Sequence, residues 1–302
     1  MRTEIHTLDL NFQNMPELIA AFLAPCPEGG FVLFESGPAS TLGALDEETL
    51  KLGFDPKDLK AVFLTHIHLD HAAGAGALAR RTGAKVYVHP LGSNHLINPN
   101  EKLIPSAERL YGEMMIPLWG RVEPIPSTQV VEIGDGETVV VEGLEVISRH
   151  TPGHAVHHIA WQIGKTIVTG DVGGVRFPGA NYVLPPMPPP DIDVDAWRES
   201  IERLQDLDPD RLLLTHFGHV ENVRPHFEEL DGRLLRWLEI AMRNLTRNDP
   251  EVSLADEILA LDEIEMAAAS IAPEAVQRYR TLCPMDGNSA GLGRYCRLLA
   301  KP

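Results

Sequence analysis

An α/β fold with an α-helical C-terminal extension is predicted by three observations. A β-branched and aromatic run, Leu59 to Leu64, is followed by the Ala-rich stretch Ala72 to Arg81 and by a second strand-like run, Lys85 to His89. That is a β-α-β unit, whose crossover places a helix on one face of a sheet. Further on, short alternating runs are separated by glycine-containing turns, the pattern of additional strands. Beyond Pro225 the strand pattern vanishes and apolar residues recur at helical spacing.

Taken in order, Glu4 to Leu10 alternates and reads as a strand, with His6 an ordinary surface residue. Gly30 to Glu35 is a second strand, closed by the turn signal Ser36-Gly37-Pro38. Thr41 to Leu52 carries leucines in a loosely helical pattern, and Phe54 to Asp58 leads into the strand Leu59 to Leu64. After Lys85 to His89, the segment Pro90 to Pro126 has poor periodicity. An excursion of that length in a compact domain is usually functional, so a short helical insertion near an active-site mouth is expected, with His95 in a structural role. Thr128 to Ile133 and Glu137 to Glu142 flank Gly134-Asp135-Gly136 and predict a hairpin. Leu144 to Ser148 extends that sheet. Ile159 to Ile163 and Thr166 to Thr169 flank Gly164-Lys165 and predict a second hairpin. Gly173 to Asp193 holds Pro178, Pro185, Pro186, Pro188, Pro189 and Pro190, a density that specifies an extended loop. Because it leaves directly from Asp171 it is expected to wall a substrate pocket, with Tyr182 the candidate to hydrogen-bond a substrate carbonyl or leaving group. Trp197, Ile201, Leu204 and Leu207 make Val194 to Asp208 an amphipathic helix, and Arg211 to Thr215 is the strand that presents His216. About four helices follow: one through Phe227 to Leu245, then Val252 to Ala268, Pro273 to Leu282 and Gly287 to Leu299. The expected division is a catalytic domain over 1–224 and a helical subdomain over 225–302.

The chemistry concentrates in Thr65-His66-Ile67-His68-Leu69-Asp70-His71, on the turn between the strand and the helix of the β-α-β unit. His66 and His68 are two apart, so an extended backbone points both imidazoles the same way. Asp70 and His71 follow where the chain turns and can face a second point. One metal cannot easily take all four from so short a loop; two adjacent metals can. His154, Asp171 and His216 each sit at the end of a later strand, completing seven N/O donors of the kind suited to zinc, manganese or iron. His150, His157, His158 and His219 stay unassigned as ligands.

The pattern His-x-His-x-Asp-His at 66–71, then His154, Asp171 and His216 in that order, resembles the metallo-β-lactamase superfamily, nearest to its glyoxalase II-like hydrolases. The resemblance spans about residues 30 to 220 and implies an αββα sandwich of two mixed sheets flanked by helices. It implies that His66, His68 and His154 hold one divalent metal, that Asp70, His71 and His216 hold a second, and that Asp171 bridges them. Zinc is the expected metal, with iron and manganese as alternatives. The implied activity is hydrolysis of a small ester, thioester or lactone by a metal-bridging hydroxide, with Asp70 both ligand and proton shuttle. Members often carry Asp where Glu35 stands, supporting the ligand loop from behind. A carboxylate rather than Cys at 171 argues against a true β-lactamase, and the acidic C-terminal segment argues against a glutathione thioester. Alternatives on the same fold are a mononuclear iron dioxygenase acting on persulfides and a non-catalytic metal-binding member.

The net charge of −17 disfavours a nucleic-acid backbone as partner. Cys26, Cys283 and Cys296 follow no metal or redox spacing and read as free thiols in a reducing compartment. The first twenty residues carry Glu4, Asp9 and Glu17 without an apolar stretch, and no run reaches the roughly 18 apolar residues of a membrane span. A cytoplasmic protein is expected, with a small-molecule substrate, no membrane or nucleic-acid partner, no organic cofactor, and a homodimer as one option for its apolar C-terminal stripes.

Overall fold

Two six-stranded sheets face one another across a core of alternating side chains. In the computed structural model, which describes residues 4–247 and 253–300, the first sheet has β1 (His6–Asp9), β2 (Ala20–Pro25), β3 (Phe31–Phe34), β4 (Leu59–Phe63), β5 (Lys85–Val88) and β6 (Val130–Glu132) in sequential order. Its first three strands are antiparallel and the rest parallel. The second sheet runs from β7 (Thr138–Val141) through β8 (Leu144–His150), β9 (Ile159–Ile163), β10 (Thr166–Val168) and β11 (Arg211–Leu214) to β12 (Gly218–Val220), with only β10 and β11 parallel. Phe22, Ala24, Val32, Phe34, Ala61 and Phe63 of the first sheet meet Val146, Ile159, Trp161, Val168 and Leu213 of the second. The intervening residues Leu23, Leu33, Val62 and Leu212 point outward, beneath the helices. Both faces of the central strands are therefore buried. The αββα sandwich is as expected.

Helices α1 (Leu42–Lys51), α2 (Leu69–Ala72) and α3 (Ala75–Thr82) follow the first strands, and α4 (Pro90–Ile97), α5 (Leu103–Tyr111) and α6 (Met115–Trp119) make up the insertion. On the other side lie α7 (Val194–Asp206), α8 (Val223–Leu245), α9 (Leu254–Ala268), α10 (Pro273–Leu282) and α11 (Met285–Leu299). Asp193 caps α7, its Oδ1 accepting from Ala196 N at 3.0 Å, and Ser253 caps α9 in the same way. The predicted start of α9 at Val252 lies outside the described residues. Leu234, Trp237, Ile258, Tyr279 and Leu292 of the last helices share one continuous core with the outer face of the sheets.

Three features differ from the sequence-based reading. The strand β2 was not expected: Ala20-Ala21-Phe22-Leu23-Ala24 has no alternation because both its faces are buried, and alanine does not favour strands. The hairpin expected over 128–142 does not form. β6 pairs in parallel with β5 and β7 pairs with β8, so Gly134-Asp135-Gly136 carries the chain from one sheet to the other. Asp135 holds that crossing, accepting from His150 N at 2.7 Å and from Arg203 at 2.7 Å. The proline-rich segment is interior: Val175, Phe177 and the stretch Tyr182 to Met187 are buried, covered by the C-terminal helices.

Candidate metal centre

The end of β4 is tied to both sheets before the ligand loop begins. Trp161 Nε1 donates to Leu64 O at 3.0 Å, and Ile159 N donates to Thr65 O at 2.7 Å. Thr215 O, at the end of β11, accepts from Ala20 N at 2.9 Å. The sheets are thus fastened together at the edge where both deliver their functional side chains.

Two groups of potential ligands result. His66, His68, His154 and Asp171 form one, and Asp70, His71 and His216 the other; within each, the ligand atoms lie within 4.8 Å of one another. The structure brings together all seven residues singled out from the sequence. His68 and Asp70 are the partly exposed members, and Asp70 retains 21% side-chain exposure, so the cluster opens on that side.

Four of the five imidazoles are held by the atom they do not offer. His154 Nδ1 donates to Pro186 O at 2.9 Å, and His216 Nδ1 donates to Leu18 O at 3.0 Å. His71 Nδ1 donates to Glu35 Oε1 at 2.9 Å. Thr65 Oγ1 donates to Glu35 Oε1 at 2.6 Å and can accept from His66 Nδ1 at 3.0 Å. These bonds turn Nε2 of all four histidines into the cluster, where a metal would take it, through the carbonyl, hydroxyl and carboxylate partners that typically orient metal-bound imidazoles. His68 offers Nδ1, which lies 2.9 Å from His66 Nε2 and 3.0 Å from His154 Nε2. Glu35 also takes Thr65 N at 3.2 Å and Thr215 Oγ1 at 3.2 Å, so it joins both strands that carry the site. Its role as a support behind the ligand loop is visible directly.

Asp171 lies between the two groups. Its Oδ1 is 3.2 Å from His71 Nε2 and 3.3 Å from His216 Nε2, while Oδ2 is 3.3 Å from His154 Nε2. Oδ1 is buried without a hydrogen-bond partner, an expensive state unless a cation satisfies it. Four converging Nε2 atoms, one Nδ1 and an orphaned carboxylate oxygen fit a metal. In the metal-free protein the electrostatics divide along the same line. Burial, then the neighbouring imidazoles, drives His66 well below the usual histidine range and His68 down to about 3. Burial acts the same way on His71 and His216, but Asp70 and Asp171 overcome it, raising His216 to about 9 and His71 well above its ordinary value. Burial would raise Asp70; His71 and His216 instead hold it down, at about 2.

Tyr182 is a correction. Its side chain is 1% exposed, with Arg233 over its ring at 3.7 Å and Tyr279 edge-on at 5.4 Å. Its hydroxyl lies by Asp262 without a hydrogen bond of ordinary geometry. The apolar residues around Tyr182 drew it into the C-terminal interface, where a substrate cannot reach it. Tyr111 was missed. At the end of α5, it packs edge-on to Trp119 at 5.1 Å, and burial together with the Asp70 charge pushes its hydroxyl up to about 12. The insertion was expected near the mouth, but nothing in its irregular sequence singled out this tyrosine. His158 stacks on His66 at 5.1 Å and bonds Thr151, supporting the cluster from behind; His219 is exposed on β12.

Comparison with known proteins agrees with this geometry. The family description "Metallo-beta-lactamase superfamily" matches residues 20–216. A metallo-beta-lactamase fold-containing protein of Sulfurisphaera tokodaii is 28% identical over 218 residues, 72% of this chain and 79% of that protein. A probable metallo-hydrolase of Bacillus subtilis is 26% identical over 234 residues, covering 70% and 84%. Among solved structures, a metallo-beta-lactamase family protein of Thermus thermophilus superposes with TM-score 0.71 at 22% identity, over 98% of this chain and 93% of that one. No helix among the described residues is long and apolar enough to cross a membrane.

Proposed function

This chain belongs to the metallo-beta-lactamase superfamily, and from that premise we propose that it is a dinuclear metal-dependent hydrolase of a small ester, lactone or thioester. One observation carries the reading: the two oxygens of Asp171 face different ligand groups, Oδ2 towards His154 and Oδ1 towards His71 and His216. A carboxylate so placed would serve a cation in each group. His66, His68 and His154 would hold one and Asp70, His71 and His216 the other, with Asp171 shared; zinc suits this donor set, and iron or manganese could replace it. When bound, such a pair supplies a hydroxide at neutral pH and a Lewis acid for the carbonyl oxygen.

The chain's own residues supply the remainder. The fixed Nδ1–H bonds of His66, His71, His154 and His216 pre-set the donor positions, so little reorganisation is needed. Asp70, the most exposed acid of the cluster, sits where a substrate must enter and can pass a proton to the leaving oxygen or sulfur. Tyr111, whose hydroxyl feels the Asp70 charge, would be the nearest candidate in the insertion for a donor to the same part of the substrate. The C-terminal segment carries more acidic than basic residues, which favours a neutral ester or lactone over an anionic glutathione thioester.

Metal content of protein purified without chelators tests the reading. About two ions per chain, falling towards one in Asp171→Ala, together with turnover on an ester, lactone and thioester panel, is the expected result. A single iron per chain, with oxygen uptake in the presence of a persulfide, would overturn it in favour of a dioxygenase.

A further inference from the structure

The carbonyl that fixes His154 and the amide held by α11 belong to one peptide unit. His154 Nδ1 donates to Pro186 O at 2.9 Å, and the N–H of that same peptide, Met187 N, donates to Asn288 Oδ1 at 2.8 Å. His154, Met187 and Asn288 are 1%, 0% and 3% exposed, so water does not compete for either bond. Met187 N–H requires an acceptor, which sets the orientation of the Asn288 amide. The peptide plane is clamped at both ends, and it cannot rotate without breaking the bond to His154.

The seating of α11 is local and deliberate in its residue types. Asn288, Gly291 and Arg294 are spaced by three and lie on one helix face. Gly291 packs so closely on Met187 that a Cβ there would fall 2.0 Å from Met187 O, and Arg294 Nε donates to Pro190 O at 3.1 Å. This stripe contacts the proline-rich segment from Met187 to Pro190. His154 is the one member of the cluster tied to that segment. His71 is tied to Glu35, and His216 to Leu18.

Resting on the metal-centre reading above, we propose that Asn288 is a positioning residue for His154, through which the C-terminal helix α11 sets the strength of one metal position and leaves the other unaffected. The Asn288 bond holds the Pro186–Met187 peptide in plane and polarises its carbonyl, which strengthens the acceptor for Nδ1–H and the donor power of Nε2. Loss of the acceptor frees the peptide to turn and the imidazole to change tautomer. The group formed by His66, His68, His154 and Asp171 then weakens, while Asp70, His71 and His216 keep their partners.

The test is stepwise removal of zinc from the full-length protein by a competing chelator, in wild type, Asn288→Leu and Asn288→Asp. The leucine variant has similar volume and no acceptor; the aspartate variant keeps the oxygen. The expected result is one zinc held on the order of 10–100-fold more weakly in Asn288→Leu, the other unchanged, and recovery to near wild type in Asn288→Asp. Unchanged affinity at both positions, or equal weakening of both, overturns the proposal. Nitrogen-15 NMR of metal-free wild type supplies a second measurement that needs no variant to fold. His154 in the Nδ1–H tautomer, with Nδ1–H and Met187 N–H both protected from exchange, is expected; the Nε2–H tautomer overturns the proposal. Wild type that binds no zinc at all would instead sink the metal-centre reading, with the NMR result still deciding the Asn288–His154 relay.

Discussion

Glu35 Oε1 accepts the Nδ1–H of His71 at 2.9 Å from a residue whose own backbone sits at φ 66°. A non-glycine residue in that region is uncommon and held by its surroundings. Here the surroundings are Thr65 N, Thr65 Oγ1, Thr215 Oγ1 and His71, four donors to one buried carboxylate. Glu35→Gln replaces one acceptor oxygen by a donor amide. Metal affinity of the Asp70–His71–His216 group should fall about 10–100-fold. The metal-free fold should lose about 1–3 kcal/mol for each buried donor left unpaired. Chelator competition and urea melts read the two effects. Wild-type metal affinity in the variant would show that the support is dispensable.

Metal removal should destabilise the whole molecule. The cluster gathers side chains from the ends of β4, β8, β10 and β11, so a cation bound there would tie both sheets together. A metal present at a thousandfold over its dissociation constant adds about 4 kcal/mol. At this chain length, that places the Tm of chelator-treated protein on the order of 10 °C lower. Calorimetry with and without chelator checks it, and coincident transitions would refute it.

How much of this was legible in the sequence follows from the range over which each signal acts. His66 to His71 lie on one turn, and strand-end geometry projects their side chains together whatever the rest of the chain does. His154, Asp171 and His216 were readable because each follows an apolar strand run. By contrast, β2 was hidden because burial on both faces removes alternation. The 128–142 hairpin was misread because a Gly-Asp-Gly turn cannot say whether its two strands join one sheet or two. Tyr182 was misplaced and Tyr111 and Asn288 overlooked for one reason. Their partners, Arg233, Asp70 and Met187, are distant in sequence, and only tertiary packing brings them together.

Tyr182→Phe tests that correction. The hydroxyl is buried and makes no hydrogen bond of ordinary geometry, while Arg233 rests on the ring, which the substitution keeps. Stability should change by less than about 1 kcal/mol and turnover by less than about twofold. A tenfold loss of kcat at unchanged stability would return Tyr182 to the reaction.

Gly170→Ala should strike the fold and the site together. Gly170 has φ 50°, and a Cβ there would lie 2.5 Å from Thr65 Oγ1 and 2.7 Å from His158 Nε2. Backbone strain and overpacking together cost roughly 2–4 kcal/mol. Relief by shifting the backbone moves Asp171, the next residue, so metal stoichiometry should fall as well. A urea midpoint equal to that of wild type would mean the turn accommodates the methyl group.

Acid should weaken the protein through His226, which is not itself one of the candidate ligands. Its Nε2 donates to Gly173 O at 2.8 Å. Burial, with Arg176 nearby, lowers its pKa to about 4 from an ordinary value of 6.5. The charged form is therefore disfavoured in the folded state and allowed in the unfolded one. Above pH 6.5 neither state is protonated, and the stabilisation is complete. As pH falls from 6.5 towards 4 the unfolded chain takes up a proton that the native one refuses, and stability drops by up to about 1.4 kcal/mol per pH unit. His226→Gln retains an N–H for Gly173 and cannot titrate. Urea melts of metal-free protein between pH 7 and pH 4.5 should show a shallower decline in the variant than in wild type. Parallel declines would place the acid sensitivity elsewhere, in groups that His226 does not touch.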